Sequence, residues 1–336
     1  MSYSALIRIP GLLAAVWLAL AALPASANNI PGSAASALPE ATEIATGMIV
    51  RSLKDHVAPL REGATLTTVS VSSSGDLAGA GFAAGGDGAG PAVSLRYHYR
   101  DLDTGRLDGD LGIGSLLLGH AISDRTMIFG GLLAERLDTD TPYNNGHIKG
   151  EGLGFALGVD HRINDALFLT GIIGTMDLDY DISRNDGAVT GSFDARRHFI
   201  DLSGDYALRV DPADVTLGFG LLYVRQKNDA YVESGGDAVA AFTSDQLSGR
   251  LSARGMWGQP GAMRPYAEAE TRFRLSGSSG LPALLDPGDD RDWTGRLGVG
   301  VQQFSARSGF EAGLGANFGD DGFEGLDAKL SYTHRF

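Results

Sequence analysis

Residues 263–277 read MRPYAEAETRFRLSG. Ala267, Ala269, Phe273 and Leu275 fall on one face of an extended chain, and Tyr266, Glu268, Glu270, Arg272 and Arg274 fall on the other. A period of two is the signature of a strand whose two sides meet different media, since successive side chains of a strand point to opposite faces. The same alternation recurs on both sides of this stretch. In 93–101, Val93, Leu95, Tyr97 and Tyr99 oppose Ser94, Arg96, His98 and Arg100; in 242–259, Leu247, Leu251, Ala253 and Trp257 oppose Gln246, Ser248, Arg250, Ser252 and Arg254. At the end of the chain, Leu326, Ala328, Leu330, Tyr332 and Phe336 oppose Asp327, Lys329, Ser331, Thr333 and Arg335.

Twelve such segments follow one another: 93–101, 109–122, 126–138, 148–163, 166–184, 189–210, 215–233, 242–259, 263–277, 290–306, 310–319 and 324–336. Many exceed the ~5–6 residues of an average soluble strand and reach the ~9–11 that a tilted strand needs to cross a bilayer. A soluble sandwich also alternates, so the connections decide between the two. Short links at 123–125, 164–165, 211–214, 260–262 and 307–309 alternate with longer ones at 102–108, 139–147, 185–188, 234–241, 278–289 and 320–323. Short turns on one side and longer loops on the other, with an even strand number, are the layout of an outer-membrane barrel. The expected fold is a 12-stranded antiparallel transmembrane β-barrel.

The start of the chain agrees with export. Arg8 precedes an apolar run from Ile9 to Leu23, and Pro24-Ala25-Ser26-Ala27 supplies a small-residue cleavage site, so residues 1–27 read as a signal peptide cleaved after Ala27. The run is too short for a spanning helix, which needs ~20 residues. Residues 28–39 read as a short disordered segment and 64–92 as a Gly/Ala-rich linker with a strand signal near Leu66–Val71. Between them, 40–63 reads as an α-helix: Pro39 at its start, Glu40 and Glu43 at the positive end of the dipole, and Ile44, Met48, Ile49, Leu53, Val57 and Leu60 at helical spacing.

Composition narrows the function. The formal net charge of −14 argues against nucleic acid, and a chain without cysteine cannot use disulfides or thiol chemistry. No Gly-x-Ser-x-Gly or His-Glu-x-x-His motif occurs, so neither a catalytic function nor a metal or other cofactor is expected. Asp286, Asp289, Asp290 and Asp292 lack the spacing of a Ca²⁺ loop and read as a solvated loop, and His98, His161 and His198 are isolated. The informative residues are the charges on the inward face, Arg250, Arg254, Glu268, Glu270, Arg272, Arg274 and Arg296. In a wet channel they would set ion selectivity. Around a buried helix they would pair with Lys54, Asp55 and Arg61 or with one another. Trp257, Trp293, Tyr97, Tyr206 and Tyr223 are candidates for aromatic girdles.

The ending Leu330-Ser331-Tyr332-Thr333-His334-Arg335-Phe336 resembles the C-terminal signal read by the barrel-assembly machinery, with Leu330, Tyr332 and Phe336 carrying the pattern and His334 departing from it. Together with Gly109-Asp110-Leu111-Gly112, Val189-Thr190-Gly191-Ser192-Phe193-Asp194-Ala195 and Asp229-Ala230-Tyr231-Val232-Glu233-Ser234, it makes 40–336 similar to an autotransporter β-domain. The resemblance implies that the helix runs through the lumen of the 93–336 barrel. It also gives a use to Gly150, Gly152, Gly154, Gly158, Gly313 and Gly315, which would line the lumen thinly enough to admit a helix ~10 Å across. Family members carry a passenger of hundreds of residues ahead of the helix, where only 28–39 stand here. The expectation is therefore a passenger-less outer-membrane barrel, structural or translocator-like, with a helix-plugged lumen. A pore for ions or small solutes is the first alternative, and an adhesin acting through 139–147, 234–241 and 278–289 the second. Expected partners are outer-membrane lipid and, during biogenesis, the barrel-assembly machinery and periplasmic chaperones, with the protein a monomer.

Overall fold

A computed structural model describes residues 30–60, 67–70, 92–123, 125–258, 262–285, 292–304, 308–320 and 322–334. The signal peptide 1–27 and Phe336 lie outside the described residues. Helix α1 spans Leu38–Leu60. It begins one residue before Pro39, whose missing N–H is harmless in the first turn. The strands are β1 Thr67–Ser70, β2 Ala92–Asp103, β3 Asp108–Ser123, β4 Thr126–Thr141, β5 Gly146–Arg162, β6 Leu167–Arg184, β7 Val189–Val210, β8 Ala213–Asn228, β9 Tyr231–Val232, β10 Ala238–Val239, β11 Phe242–Trp257, β12 Met263–Ser278, β13 Trp293–Phe304, β14 Ser308–Gly319 and β15 Gly322–His334.

Twelve long strands, β2 to β8 and β11 to β15, pair each with the next in antiparallel register and close into a barrel. The seam contains a short thirteenth member: β1 runs antiparallel to β15 and parallel to β2. At 12 to 22 residues the long strands are sufficient, at ~3.3 Å per residue and ~40° of tilt, to cross a hydrocarbon core.

The distribution of side chains identifies the medium. Leu153, Leu132, Leu202, Leu297, Leu314 and Leu326 are each more than half exposed on the outer face, while Arg197 and Asp201 on the inner face are 0% and 1% exposed. In water such a molecule would be inside out. In lipid, the apolar face meets acyl chains and the polar residues face the lumen. Trp293 and Tyr223 stand at one edge of this belt, and Trp257 and Tyr206 at the other. Tyr97 lies between the edges, its ring over Gly112.

Three expectations need correction. The segment 28–39 is not disordered over its described part: Ser33–Ala35 form a 3-10 turn, and Ser33 to Leu38 are buried. The 215–233 segment is not one strand. β8 stops at Asn228, and Tyr231–Val232 instead pairs with Ala238–Val239 in a separate hairpin, β9–β10, inside the 229–241 connection. The connections 104–107, 142–145 and 320–321 are also as short as the turns at the other end, because the strands run further outward than the hydropathy pattern reaches, and 185–188, found with the expected bounds, is equally short. The long-loop contrast thus rests on 229–241 and 279–292 alone. The 185–188 turn is tight because Asn185, Asp186 and Gly187 all take positive φ, a conformation that Asn, Asp and Gly tolerate.

The lumen glycines serve a purpose different from the expected one. A Cβ on Gly158 would stand 2.1 Å from the Phe129 ring, on Gly150 2.6 Å from Tyr180, and on Gly154 2.5 Å from Met176. Gly313 accommodates the Tyr266 hydroxyl, and Gly315 the Arg296 guanidinium and Asp327 carboxylate. These glycines admit large side chains from neighbouring strands; Phe129, Met176 and Tyr180 join the buried cluster that includes the apolar residues of α1, while Tyr266, Arg296 and Asp327 pair within the wall. Gly158→Val should therefore destabilise the barrel by about 1–3 kcal/mol through overpacking, and adding Phe129→Ala should recover much of the loss. Urea unfolding in detergent micelles measures both.

Candidate functional site: the helix-filled lumen

α1 is buried on every side. Ile44, Met48, Ile49, Leu53 and Val57 are buried as the spacing predicts, but so are Thr42, Thr46 and Ser52 on its other faces. A helix on a surface shows an apolar stripe and an exposed face; among the described side chains of α1 from Leu38 onward none is exposed, and Glu43, Arg51 and Lys54 are half-buried, because the helix occupies the lumen.

The lumen has two chemically distinct halves. From β3 to β6 the wall offers Ile113, Leu117, Phe129, Leu133, Leu137, Ile172, Met176 and Leu178, which form one buried cluster with the apolar residues of α1. Burial of a Leu or Ile side chain contributes about 1.5–3 kcal/mol, so this half supplies the undirected part of the docking. A polar contact between Ser52 Oγ and Ser115 Oγ at 3.1 Å lies within it.

The half from β11 to β15 fixes register through charge. Arg51 Nη2 lies 2.7 Å from Glu270 Oε1, and Arg274 Nη2 lies 3.3 Å from Glu43 Oε2. Arg272 donates to Glu270 at 3.0 Å and to the carbonyl of Gly47 at 3.2 Å. A Cβ at position 47 would fall 1.6 Å from the Arg272 guanidinium, so the glycine is what lets this side chain reach the helix backbone. On the β7 side, Lys54 Nζ lies 3.3 Å from Asp205 Oδ1. Charge-assisted bonds in a site with little water are both stronger and more directional than exposed ones.

All seven sequence-chosen charges face the lumen, and they divide in two. Glu270, Arg272 and Arg274 grip α1. Arg250, Arg254, Glu268 and Arg296 pair within the wall. Arg296 bridges Glu268 at 2.5 Å and Asp327 at 2.6 Å; Arg254 bonds Gln302 at 2.8 Å and Glu311 at 3.0 Å while lying 3.9 Å from the Tyr266 ring centroid. Arg250 lies 3.7 Å from Asp201. Of the expected helix partners Lys54 takes part, while the Asp55 side chain and Arg61 lie outside the described residues; Glu43 and Arg51 are further ionic residues of α1. Leu330 and Tyr332 sit in β15 opposite Ala312 and Phe310.

One network was not anticipated. Thr42 Oγ1 donates to Gln226 Oε1 at 3.0 Å, and the same oxygen accepts from Arg197 Nε at 2.9 Å. Arg197 makes a two-pronged bond to Glu135 at 2.6 and 3.1 Å and also donates to Tyr180 Oη at 3.3 Å. The signal was present in the phase of β7, where Phe193, Ala195 and Phe199 set the inward face and Arg197 shares it.

The mouth above the helix is closed by the corrected segments. Gly32 N donates to Glu233 Oε1 at 3.0 Å, Glu233 is clamped by Arg184 at 2.7 Å, and Tyr143 Oη donates to Ser33 O at 3.0 Å. Tyr231 stacks on Phe193 at 4.9 Å, and Val239 and Leu285 close over Gly32. Along the charged half remains a cavity of about 40 Å³, lined by Glu43, Met48, Arg51, Glu270, Arg272 and Arg296 among others. It has room for water, not for a solute.

Removing one member of the Glu135–Arg197 pair leaves a buried charge without its counter-ion. Arg197→Met alone should destabilise by about 3–5 kcal/mol, whereas Glu135→Leu with Arg197→Met should cost far less. A double-mutant cycle from chemical unfolding in micelles reads the difference.

Comparison with known proteins agrees with this geometry. No curated protein sequence matches the chain significantly. The translocator domain of the autotransporter NalP from Neisseria meningitidis superposes with a TM-score of 0.66 over 90% of this chain and 100% of that one, at 17% identity. The β-domain of the Bordetella autotransporter BrkA superposes with a TM-score of 0.52 over 74% of this chain and 100% of that one, at 19% identity. The family model described as autotransporter β-domain matches residues 95–322. A twelve-stranded barrel with an N-terminal helix in its lumen and this family match together make the chain a member of the autotransporter β-domain family, an outer-membrane protein of the class inserted by the barrel-assembly machinery.

Proposed function

We propose that the protein is a translocator-type barrel that carries the segment preceding α1 to the external side and then holds its own lumen shut with α1. The observation that carries this reading is the direction of the helix. Its C-terminal end leads toward β2 at the short-turn end of the barrel, while Gly32 and Ser33 meet Glu233 and Tyr143 of the loop end. A chain in that position has passed along the lumen, and the ion pairs at Glu43, Arg51 and Lys54 keep it there. Its role is transport and sealing, not catalysis. In this reading it acts as a monomer, delivered by periplasmic chaperones.

The pore reading is less well supported, since the lumen is filled along the described helix. In planar bilayers the full-length protein should show negligible steady conductance, and a variant lacking residues 30–60 should conduct. A tag at Asn29 should be reached by protease on intact cells. Open current from the full-length chain, or a tag protected until the cells are broken, contradicts the proposal.

A further inference from the structure

The outer face of β7 and β8 changes character at a single height. Ile200, Leu202 and Tyr206 of β7 and Phe219, Leu221 and Tyr223 of β8 are exposed there as part of the lipid belt. Ile200 faces Tyr223 across the ladder. Two residues further toward the long loops His198 faces Arg225, and two further still Arg196 faces Lys227. All four side chains are exposed on the outer face. With a tilt of ~40° these rows stand about 5 and 10 Å beyond the Tyr223 level, which is the depth of lipid headgroups.

Arg196 and Lys227 face one another directly across the ladder, where like charges repel unless an anion joins them, and Arg225 adds a third positive charge one pair away with the His198 imidazole opposite it. The protein's own carboxylates satisfy them weakly. Asp177 lies 2.7 Å from Arg196 and Asp229 lies 3.5 Å from Lys227, but every member of these pairs is more than half exposed, and such pairs contribute at most about 1 kcal/mol. Asp245 stands opposite Arg225 in register and accepts a bond from Ser278. Among the described residues, neither His198 nor Arg225 has a carboxylate within ion-pair distance. On β6 Asp177 stands opposite Arg196 and Asp179 opposite the exposed Asp194, and on β4 and β5 the outward Arg136 stands opposite Glu151. Arg196, Arg225 and Lys227 thus lie together on the outer face of two neighbouring strands.

We propose that Arg196, His198, Arg225 and Lys227 form a binding site for the phosphate groups of anionic lipid in the external leaflet, continuous with the acyl-chain belt beneath. Guanidinium groups present paired N–H donors that match phosphate oxygens, and a headgroup held over this patch would place its chains on Ile200, Leu202 and Leu221.

The test uses the purified full-length protein in detergent, with lipid A bearing both phosphates as probe and its dephosphorylated form as comparison, and native mass spectrometry as readout. The wild type should retain the phosphorylated lipid. The variant R196S/H198S/R225S/K227S should retain it at least tenfold less, and Asp177→Asn, which removes the competing carboxylate, should retain more. Heat-modifiable gel migration establishes that each variant is a folded barrel; the exchanged residues are solvent-facing. A second variant, R136S/K149S, removes outward cations elsewhere and should behave as wild type. Equal retention by the wild type and the fourfold variant, equal retention of the dephosphorylated lipid, or displacement by excess inorganic phosphate, which marks a small-anion site, would each overturn the proposal.

Discussion

A wall of strands in hydrocarbon must satisfy every backbone donor and acceptor through its own neighbours, because lipid offers no hydrogen bonds. Closure does this, and closure over twelve long strands creates a problem of its own: a ring of that size encloses more space than its inward side chains can fill. The molecule solves it with α1. The backbone groups of a helix are satisfied internally, so it can be enclosed without leaving them unpaired. It also brings side chains to a lumen that the wall leaves only partly occupied.

Filling the lumen with a helix sets conditions on both partners. An apolar seat from β3 to β6 gives attraction but little register, since a greasy cylinder can slide or turn against it. The ionic half supplies register: Arg51 finds one carboxylate at Glu270, Glu43 one guanidinium at Arg274, and Arg272 reaches the backbone only where residue 47 has no side chain. The buried Thr42–Gln226–Arg197–Glu135 chain adds a fixed point near the external end. Such groups are costly to desolvate, and their value lies less in net stability than in specifying one position.

Much of this was legible in the sequence because the two faces of each strand meet media of opposite polarity. Strand starts and ends such as 126, 189, 210, 242, 263 and 319 could be read to the residue. Failures came where that contrast lapses. At the loop ends of β4 and β5 the alternation lapses over Thr139, Asp140, Thr141, Gly146 and His147, so the sequence pattern stops short of the strand ends and makes that loop long. Tyr231 and Val232 carry strand character but belong to a hairpin above the wall, which periodicity cannot distinguish from a continuation of β8. The Ser/Ala-rich stretch before α1 looked unstructured because nothing in its composition announces burial. Its order comes from Glu233 and Tyr143, more than 100 residues away. The inward charges were identified from phase alone, but which of them would meet the helix depends on its rotation and depth. Sequence does not encode either locally, so the pairing of Glu43 and Arg51 with Arg274 and Glu270 is visible only in the structure.

Whether α1 occupies the lumen at this depth can be measured without disturbing any ion pair. The chain has no cysteine, and the hydroxyls of Ser52 and Ser115 lie 3.1 Å apart, close enough for the corresponding thiols to join with little movement of the backbone. In a Ser52→Cys/Ser115→Cys variant assembled in cells and denatured without reductant, the two positions should be linked nearly completely, seen as a faster band that reduction restores to the normal position. Two free thiols, both labelled by maleimide in the folded barrel, would mean that the helix does not lie there.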